Sequence, residues 1–288
     1  MTALWPEARE RTAVAPLADA DLLSLHRLLA LDPLANAVII SRVQSASSLD
    51  PRRLGGSVLG IRSRGEVVAA CYSGGTVVPL GGDAEDLARI AQCVARRPRA
   101  ATSVVGPTEA VCAVWGELEQ RWGAPREFRA GQPLLVLRGS SRVAGDRAVR
   151  RVRGAELDRY VPAAAAMFAE ELGVPPDRCG SPAAFRGRVG ELVRSGRAFA
   201  RFDERGEVVF KADFGAVTAH TVQVQGVWVR PDLRGRGIGT AALATVLRAA
   251  LRSAPSVSLY VNAFNAPARR MYEKLGMREH SLLTTVLL

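Results

Sequence analysis

Val227-Trp228-Val229-Arg230-Pro231-Asp232-Leu233-Arg234-Gly235-Arg236-Gly237-Ile238-Gly239-Thr240 is the stretch that decides how this 288-residue chain is read. It opens as a β-type apolar run, breaks at Pro231, and continues into a helix whose Leu243, Val246, Leu247 and Ala250 share one face. The glycines fall at the junction of strand and helix. Residues without a Cβ let backbone N–H groups turn toward a ligand, and a helix N-terminus adds partial positive charge, so the junction suits a pyrophosphate. Arg234 and Arg236 add formal charge. A plain glycine turn is the bland alternative. A dinucleotide-binding fold would want G-x-G-x-x-G and an acidic residue about 20 positions on. Here Gly235, Gly237 and Gly239 alternate, and the next strand, Val257 to Asn262, ends without Asp or Glu, so that fold is rejected.

Working outward, the second half reads as helix (Leu157 to Glu171), helix (Pro182 to Ser195), strand (Arg197 to Asp203), a turn at Glu204-Arg205-Gly206, and strands Glu207 to Val217 and Thr221 to Val229. Helix Gly237 to Arg252, strand Val257 to Val261, helix Ala266 to Leu275 and a last strand near Leu282 to Leu288 follow. An antiparallel meander feeding a βαβα unit predicts an α/β (α+β) fold, a mixed, mostly antiparallel sheet with helices on both faces.

The first half repeats this plan in shortened form. Gly65-Glu66-Val67-Val68-Ala69-Ala70 matches Gly206-Glu207-Val208-Val209-Phe210-Lys211, Thr102 to Val105 matches Ser258 to Val261, and Thr108 to Trp115 matches Asn265 to Tyr272. The offset grows from 141 to 157 residues between these anchors, and the 16 added residues fall in the interval that holds the glycine segment. Two tandem domains are therefore expected, at residues 1–140 and 153–288, joined by a basic, Gly- and Ser-bearing linker at 141–152.

Bulk properties bound the function. The composition is 48% hydrophobic and 23% charged, as in ordinary globular chains. Met1 to Ala15 is interrupted by Glu7, Arg9, Glu10 and Arg11 and lacks the apolar stretch of a secretion signal. The longest apolar stretch, Val161 to Ala169, is far short of the roughly 20 residues needed to span a bilayer. Cys71, Cys93, Cys112 and Cys179 are scattered, as are His26, His220 and His280; no metal site is expected, and reduced thiols in a cytoplasm are. The net charge of +11 raises a nucleic-acid partner, but the arginines are spread along the chain and aromatics are only 6%, so none is expected.

The glycine segment resembles a known family. Arg234-Gly235-Arg236-Gly237-Ile238-Gly239 fits the Q/R-x-x-G-x-G/A signature of the GNAT superfamily of N-acetyltransferases, and Asn265 to Met277 is similar to its N-x-x-A-x-x-x-Y-x-K-x-G-F helix, with Met277 in place of Phe. The resemblance covers about Leu157 to Leu288, and the arrangement looks like the tandem type with a degenerate N-terminal GNAT-like domain seen in actinobacteria.

The resemblance implies an acetyl-CoA-dependent N-acetyltransferase acting on a primary amine of a small molecule or protein. The alternative is an acyl-CoA-binding regulatory module without turnover. Val227, Trp228 and Val229 would meet the pantetheine arm and offer an N–H to the thioester oxygen; Arg234, Gly235, Arg236, Gly237, Ile238, Gly239 and Thr240 would hold the pyrophosphate. Asn265 would bond the pantetheine and Arg269 would reach the ribose phosphate. Tyr272 would protonate the departing thiolate, suited by a phenol pKa of about 10, above that of a thiol; the first half has Trp115 there. Many relatives carry a glutamate base before the glycine loop, where this chain has Gln223 and Gln225. Glu171, with Glu170 and Asp213 beside it as candidates, is the expected base, a water or no base being the other options. A homodimer is left open.

Overall fold

The computed structural model describes residues 11–288; the opening segment, on which the reading of the N-terminus largely rests, lies outside the described residues. The chain divides into two compact units, one of residues 1–134 with 281–288, the other of residues 135–280.

The first unit contains β1 (Ala15–Pro16), α1 (Leu22–Leu29), α2 (Ala37–Ala46), α3 (Pro51–Leu54), β2 (Gly56–Ser63), β3 (Glu66–Gly74), β4 (Val77–Gly81), α4 (Ala84–Ala95), β5 (Ser103–Pro107) and α5 (Thr108–Trp122). Strands β1 to β4 form an antiparallel meander and β4 meets β5 in parallel. Alternation along β3 supplies both faces: Ala69 and Cys71 join the core under α4 and α5, while Ala70 and Tyr72 join the one under α1 and α2.

β6 (Glu127–Arg138) crosses the division. The second unit then holds β7 (Arg150–Arg151), α6 (Leu157–Leu172), α7 (Pro182–Arg194), β8 (Ala198–Phe202), β9 (Val208–Val217), β10 (Val222–Val229), α8 (Ile238–Leu251), β11 (Ser256–Tyr260) and α9 (Ala266–Lys274). Its strand order is β6-β11-β10-β9-β8-β7. Phe210, Ala212 and Phe214 of β9 face the core shared with α8 and α9, and Tyr160 of α6 and Val189 of α7 belong to the core on the other face. The fold is thus α/β, a mixed sheet with helices on both faces in each unit, and the internal repeat is visible in it. Gly65 and Gly206, matched in sequence, turn the β2–β3 and β8–β9 hairpins at φ +83° and +77°.

The expected boundaries differ from this division in two places. The last strand, β12 (Arg278–Leu287), pairs antiparallel with β5, Leu283 opposite Pro107 and Leu287 opposite Ser103, so its outer part completes the first unit instead of the second. Leu135 and Leu137 of β6 lie in the core of the second unit. Periodicity identifies a strand but not the sheet edge that accepts it. The segment expected as a linker is built into the second unit: Asp146 N–H donates to Ala241 O at 3.0 Å, Val149 is buried in the core, and β7 pairs with β8. Among the described residues no helix is long and apolar enough to cross a membrane.

Candidate active site

β10 carries the first part of the glycine segment, and its pairing opens it at its C-terminal end. Its parallel register with β11 holds only Val222 against Val257 and Gln223 against Ser258. Yet β10 runs on to Val229 and β11 to Tyr260, so the strands separate beyond Gln223. On the other side, Gln225 opposes Asp213 and Trp228 opposes Lys211, which leaves Gly226 and Val227 together opposite one residue, a β-bulge. Gly226 has φ +58°, and a Cβ on it would lie 2.8 Å from Lys211 Nζ and 3.1 Å from Met167 Cε. A side chain there would be strained by the left-handed backbone and would displace the Lys211 ammonium. The bulge also shifts the alternation by one: Val222 and Val224 face the α8–α9 core, then Val227 and Val229 do, while Trp228 turns to the α6–α7 core.

Beneath the bulge is a buried polar network. Lys211 Nζ donates to Asp213 Oδ2 at 2.6 Å and to Gly226 O at 3.0 Å, and the Tyr160 hydroxyl donates to Asp213 Oδ1 at 2.6 Å. Burial, with the Asp213 carboxylate adding to it, pushes the Tyr160 phenol well above its ordinary range and keeps it a donor.

After a 3₁₀ turn at Pro231–Leu233 the chain reaches α8 through Gly235 and Gly237, both left-handed at φ +76° and +78°. A Cβ built on either meets nothing within 4 Å, so the turn faces open space. The Thr240 and Ala241 amides donate to Gly237 O at 3.2 and 3.3 Å, so the amides ahead of them, of Ile238 and Gly239, are the ones a helix start leaves without an acceptor in its own turn, and they lie where the helix dipole is positive. Gly239 allows close packing, since a Cβ there would stand 3.0 Å from Val229 Cγ2 and 3.4 Å from Met271 Sδ. End of strand, glycine turn and α9 are thereby brought together.

Of the charged residues in this segment, Arg236 is exposed. Arg234 Nε donates to Val229 O at 2.9 Å and its Nη2 to Glu170 Oε2 at 2.6 Å, while Trp228 Nε1 donates to Glu170 Oε1 at 3.0 Å. Asn265 caps α9, its Oδ1 accepting from Ala268 N–H at 3.2 Å, and Arg269 Nη1 donates to Ala263 O at 3.3 Å. Tyr272 is buried in the α8–α9 core, and burial first, then the Glu171 carboxylate, raises its phenol above the ordinary value. A phenol so placed stays protonated and is a proton reserve rather than a base.

Two of the three candidate bases are corrected by this geometry. Both oxygens of Asp213 are bonded, to Lys211 and Tyr160, and the carboxylate is buried. Both oxygens of Glu170 serve Trp228 and Arg234. Glu171 lies exposed at the end of α6. The sequence reading missed Lys211, Tyr160 and Gly226 as members of the site; the signal was present in Val208-Val209-Phe210-Lys211-Ala212-Asp213-Phe214, where two charges on one face interrupt an apolar strand.

Residues 155–277 match the acetyltransferase (GNAT) family model. Residues 56–160 match a domain of unknown function, DUF4081. No curated protein matches the sequence. Solved structures similar across both units include a GNAT-family acetyltransferase from Colwellia psychrerythraea, 13% identical with a TM-score of 0.58 over 96% of this chain and 100% of that one. A GCN5-related N-acetyltransferase from Sphaerobacter thermophilus is 16% identical, with a TM-score of 0.60 over 96% and 95% of the two chains. A tandem GNAT protein from the clavulanic acid biosynthesis pathway is also 16% identical, with a TM-score of 0.54 over 96% and 98%. At these identities the likeness is one of fold.

Proposed function

We propose that the protein transfers an acetyl group from acetyl-CoA to a primary amine at the open end of β10. The observation that carries this reading is the parting of β10 and β11 after Gln223 and Ser258, directly above the glycine turn. The residues fit the cofactor: the turn is open in front of Gly235 and Gly237, the α8 amides supply donors, and Arg234 and Arg236 supply charge for the pyrophosphate. The backbone of Val227, Trp228 and Val229 offers the edge for the pantetheine arm, with Ile238, Gly239 and Thr240 beginning the helix that faces the phosphates. Asn265 keeps its Nδ2 as a donor to the arm, and Arg269 is placed on α9 for the ribose phosphate.

Bound there, acetyl-CoA supplies an activated thioester carbon. The protein's own part is to orient it, to hold a donor at the thioester oxygen, and to manage two protons. The Tyr272 hydroxyl holds the proton needed by the departing thiolate, its raised pKa keeping that proton in place until the thiolate forms. Glu171 is the carboxylate for the proton leaving the amine. The first unit is read as not holding a cofactor, because α4 begins with the cap Asp83 and with Glu85 and Asp86 where α8 begins with glycines, and Trp115 stands where the second unit has Tyr272. Acids at a helix N-terminus occupy the place a phosphate would take.

Calorimetric titration of the full chain with acetyl-CoA, followed by detection of free thiol over a panel of amines, tests the proposal. Binding to one site, abolished in Gly237→Glu but kept in Gly237→Asn, which tolerates the same left-handed backbone, is the expected result. Binding without thiol release on any amine identifies a regulatory module instead.

A further inference from the structure

We infer that Lys211 is a positioning residue for acyl transfer, which holds and polarises the Gly226–Val227 peptide so that the Val227 N–H becomes the donor to the thioester oxygen. The inference rests on the acyl-CoA reading of the site above. Lys211 and Asp213 form an ion pair with side-chain exposures of 0% and 5%. Such a pair is expensive to desolvate, and an apolar pair of similar volume is often at least as stable, so its place in the middle of β9 calls for a role beyond stability. The contact that distinguishes it is the one to the bulge: Lys211 Nζ donates to Gly226 O at 3.0 Å.

Geometry then fixes where the rest of that peptide points. Lys211 lies on the face of the sheet that carries α6, since it touches Tyr160 and approaches the position where Met167 would meet a Gly226 Cβ. The Gly226 carbonyl tilts toward that face to accept from it. In a trans peptide the C=O and N–H are antiparallel, so the Val227 N–H tilts to the opposite face, which carries α8, α9 and Tyr272. The bulge places this peptide on the stretch of β10 that has parted from β11. A cation on a carbonyl oxygen draws electron density through the amide and strengthens the N–H as a donor. Donors fixed in advance at a developing oxyanion contribute heavily to the rate of acyl transfer. The Tyr160 hydroxyl, bonded to the far oxygen of Asp213, holds the carboxylate so that Lys211 keeps one direction.

The test is infrared difference spectroscopy of acetyl-CoA labelled with ¹³C at the thioester carbonyl, bound to the full-length protein. In the wild-type protein the carbonyl band moves to lower frequency on binding. In the double variant Lys211→Gln with Asp213→Asn, amides replace both charges and hydrogen bonds persist. There the band returns toward its position in free acetyl-CoA, while calorimetry shows affinity changed by no more than a few-fold. A merely structural Lys211 would leave the band where it is, and that result in a folded double variant overturns the inference, as does a wild-type band that does not move. If the double variant fails to fold, Tyr160→Phe serves: it loosens Asp213 and moves the band part of the way back, and an unmoved band overturns the inference. Absence of acetyl-CoA binding by the wild-type protein, seen by calorimetry before any spectrum, overturns the acyl-CoA reading itself.

Discussion

Glu170 and Arg234 are ion-paired at 2.6 Å, a carboxylate at the end of α6 holding the first arginine of the glycine turn. The same carboxylate accepts from Trp228 and so is fixed in place. A bound pyrophosphate would compete with Glu170 for the Arg234 guanidinium.

Removing that competition has a predicted direction. Glu170→Gln keeps an oxygen for Trp228 and removes the negative charge, so the Kd for coenzyme A should fall, by about two- to fivefold for a pair this exposed. Calorimetry at low salt measures it. A weaker affinity would mean that Glu170 instead presents Arg234 to the phosphates.

Tyr272→Phe removes a hydroxyl and keeps the ring in the α8–α9 core. If Tyr272 holds the proton for the thiolate, turnover falls by roughly 10²-fold, the low end for general acid catalysis, with coenzyme A affinity within a few-fold. Steady-state kinetics on an accepted amine, beside calorimetry, separates the two. Unchanged turnover would make the residue a packing element only.

Glu156 gives the second unit an acid-sensitive contact. It accepts from both terminal nitrogens of Arg150, at 2.8 and 2.6 Å, and these bonds first, with the Arg153 amide after them, hold its carboxyl down at about 2. The folded value lies below the unfolded one of about 4.3, so the contribution is present above that value and is lost as pH falls from about 4 toward 2. Glu156→Gln should therefore lower stability by about 0.5–1 kcal/mol at neutral pH, the size expected of a largely screened pair. In denaturant titrations along a pH series the difference from wild type should vanish at the acid end; a constant difference would assign it to packing.

Sequence alone carried the fold and the glycine segment because both rest on local rules. Pro231 ends a strand, Gly237 precedes an apolar helical face, and Asn265 with Pro267 starts a helix, each within a few residues of its effect. The bulge at Gly226 was also written there, since Val222 and Val224 are followed by Val227 and Val229, a slip of one in a two-residue period. It went unread because a glycine in a strand is ambiguous without its partner. Pairings between distant residues were out of reach: the partition of β12, the bond from Tyr160 to Asp213, and the hold of Glu170 on Arg234 each join segments that no periodicity connects.

The strand that completes the first unit bears on how the chain can be made. Residues 281–288 leave the ribosome only after the whole second unit has been synthesised. Until then the outer edge of β5 lacks its partner, and an open strand edge invites pairing with another chain. The first unit thus cannot finish folding as it emerges, although most of its residues come first. Removing residues 281–288, none of them near the glycine turn in sequence, would damage the unit most of whose residues are synthesised before the other. A cut near residue 140 would leave the leading fragment without β12 and the trailing one without its Leu135 and Leu137, so the two halves are not separable modules.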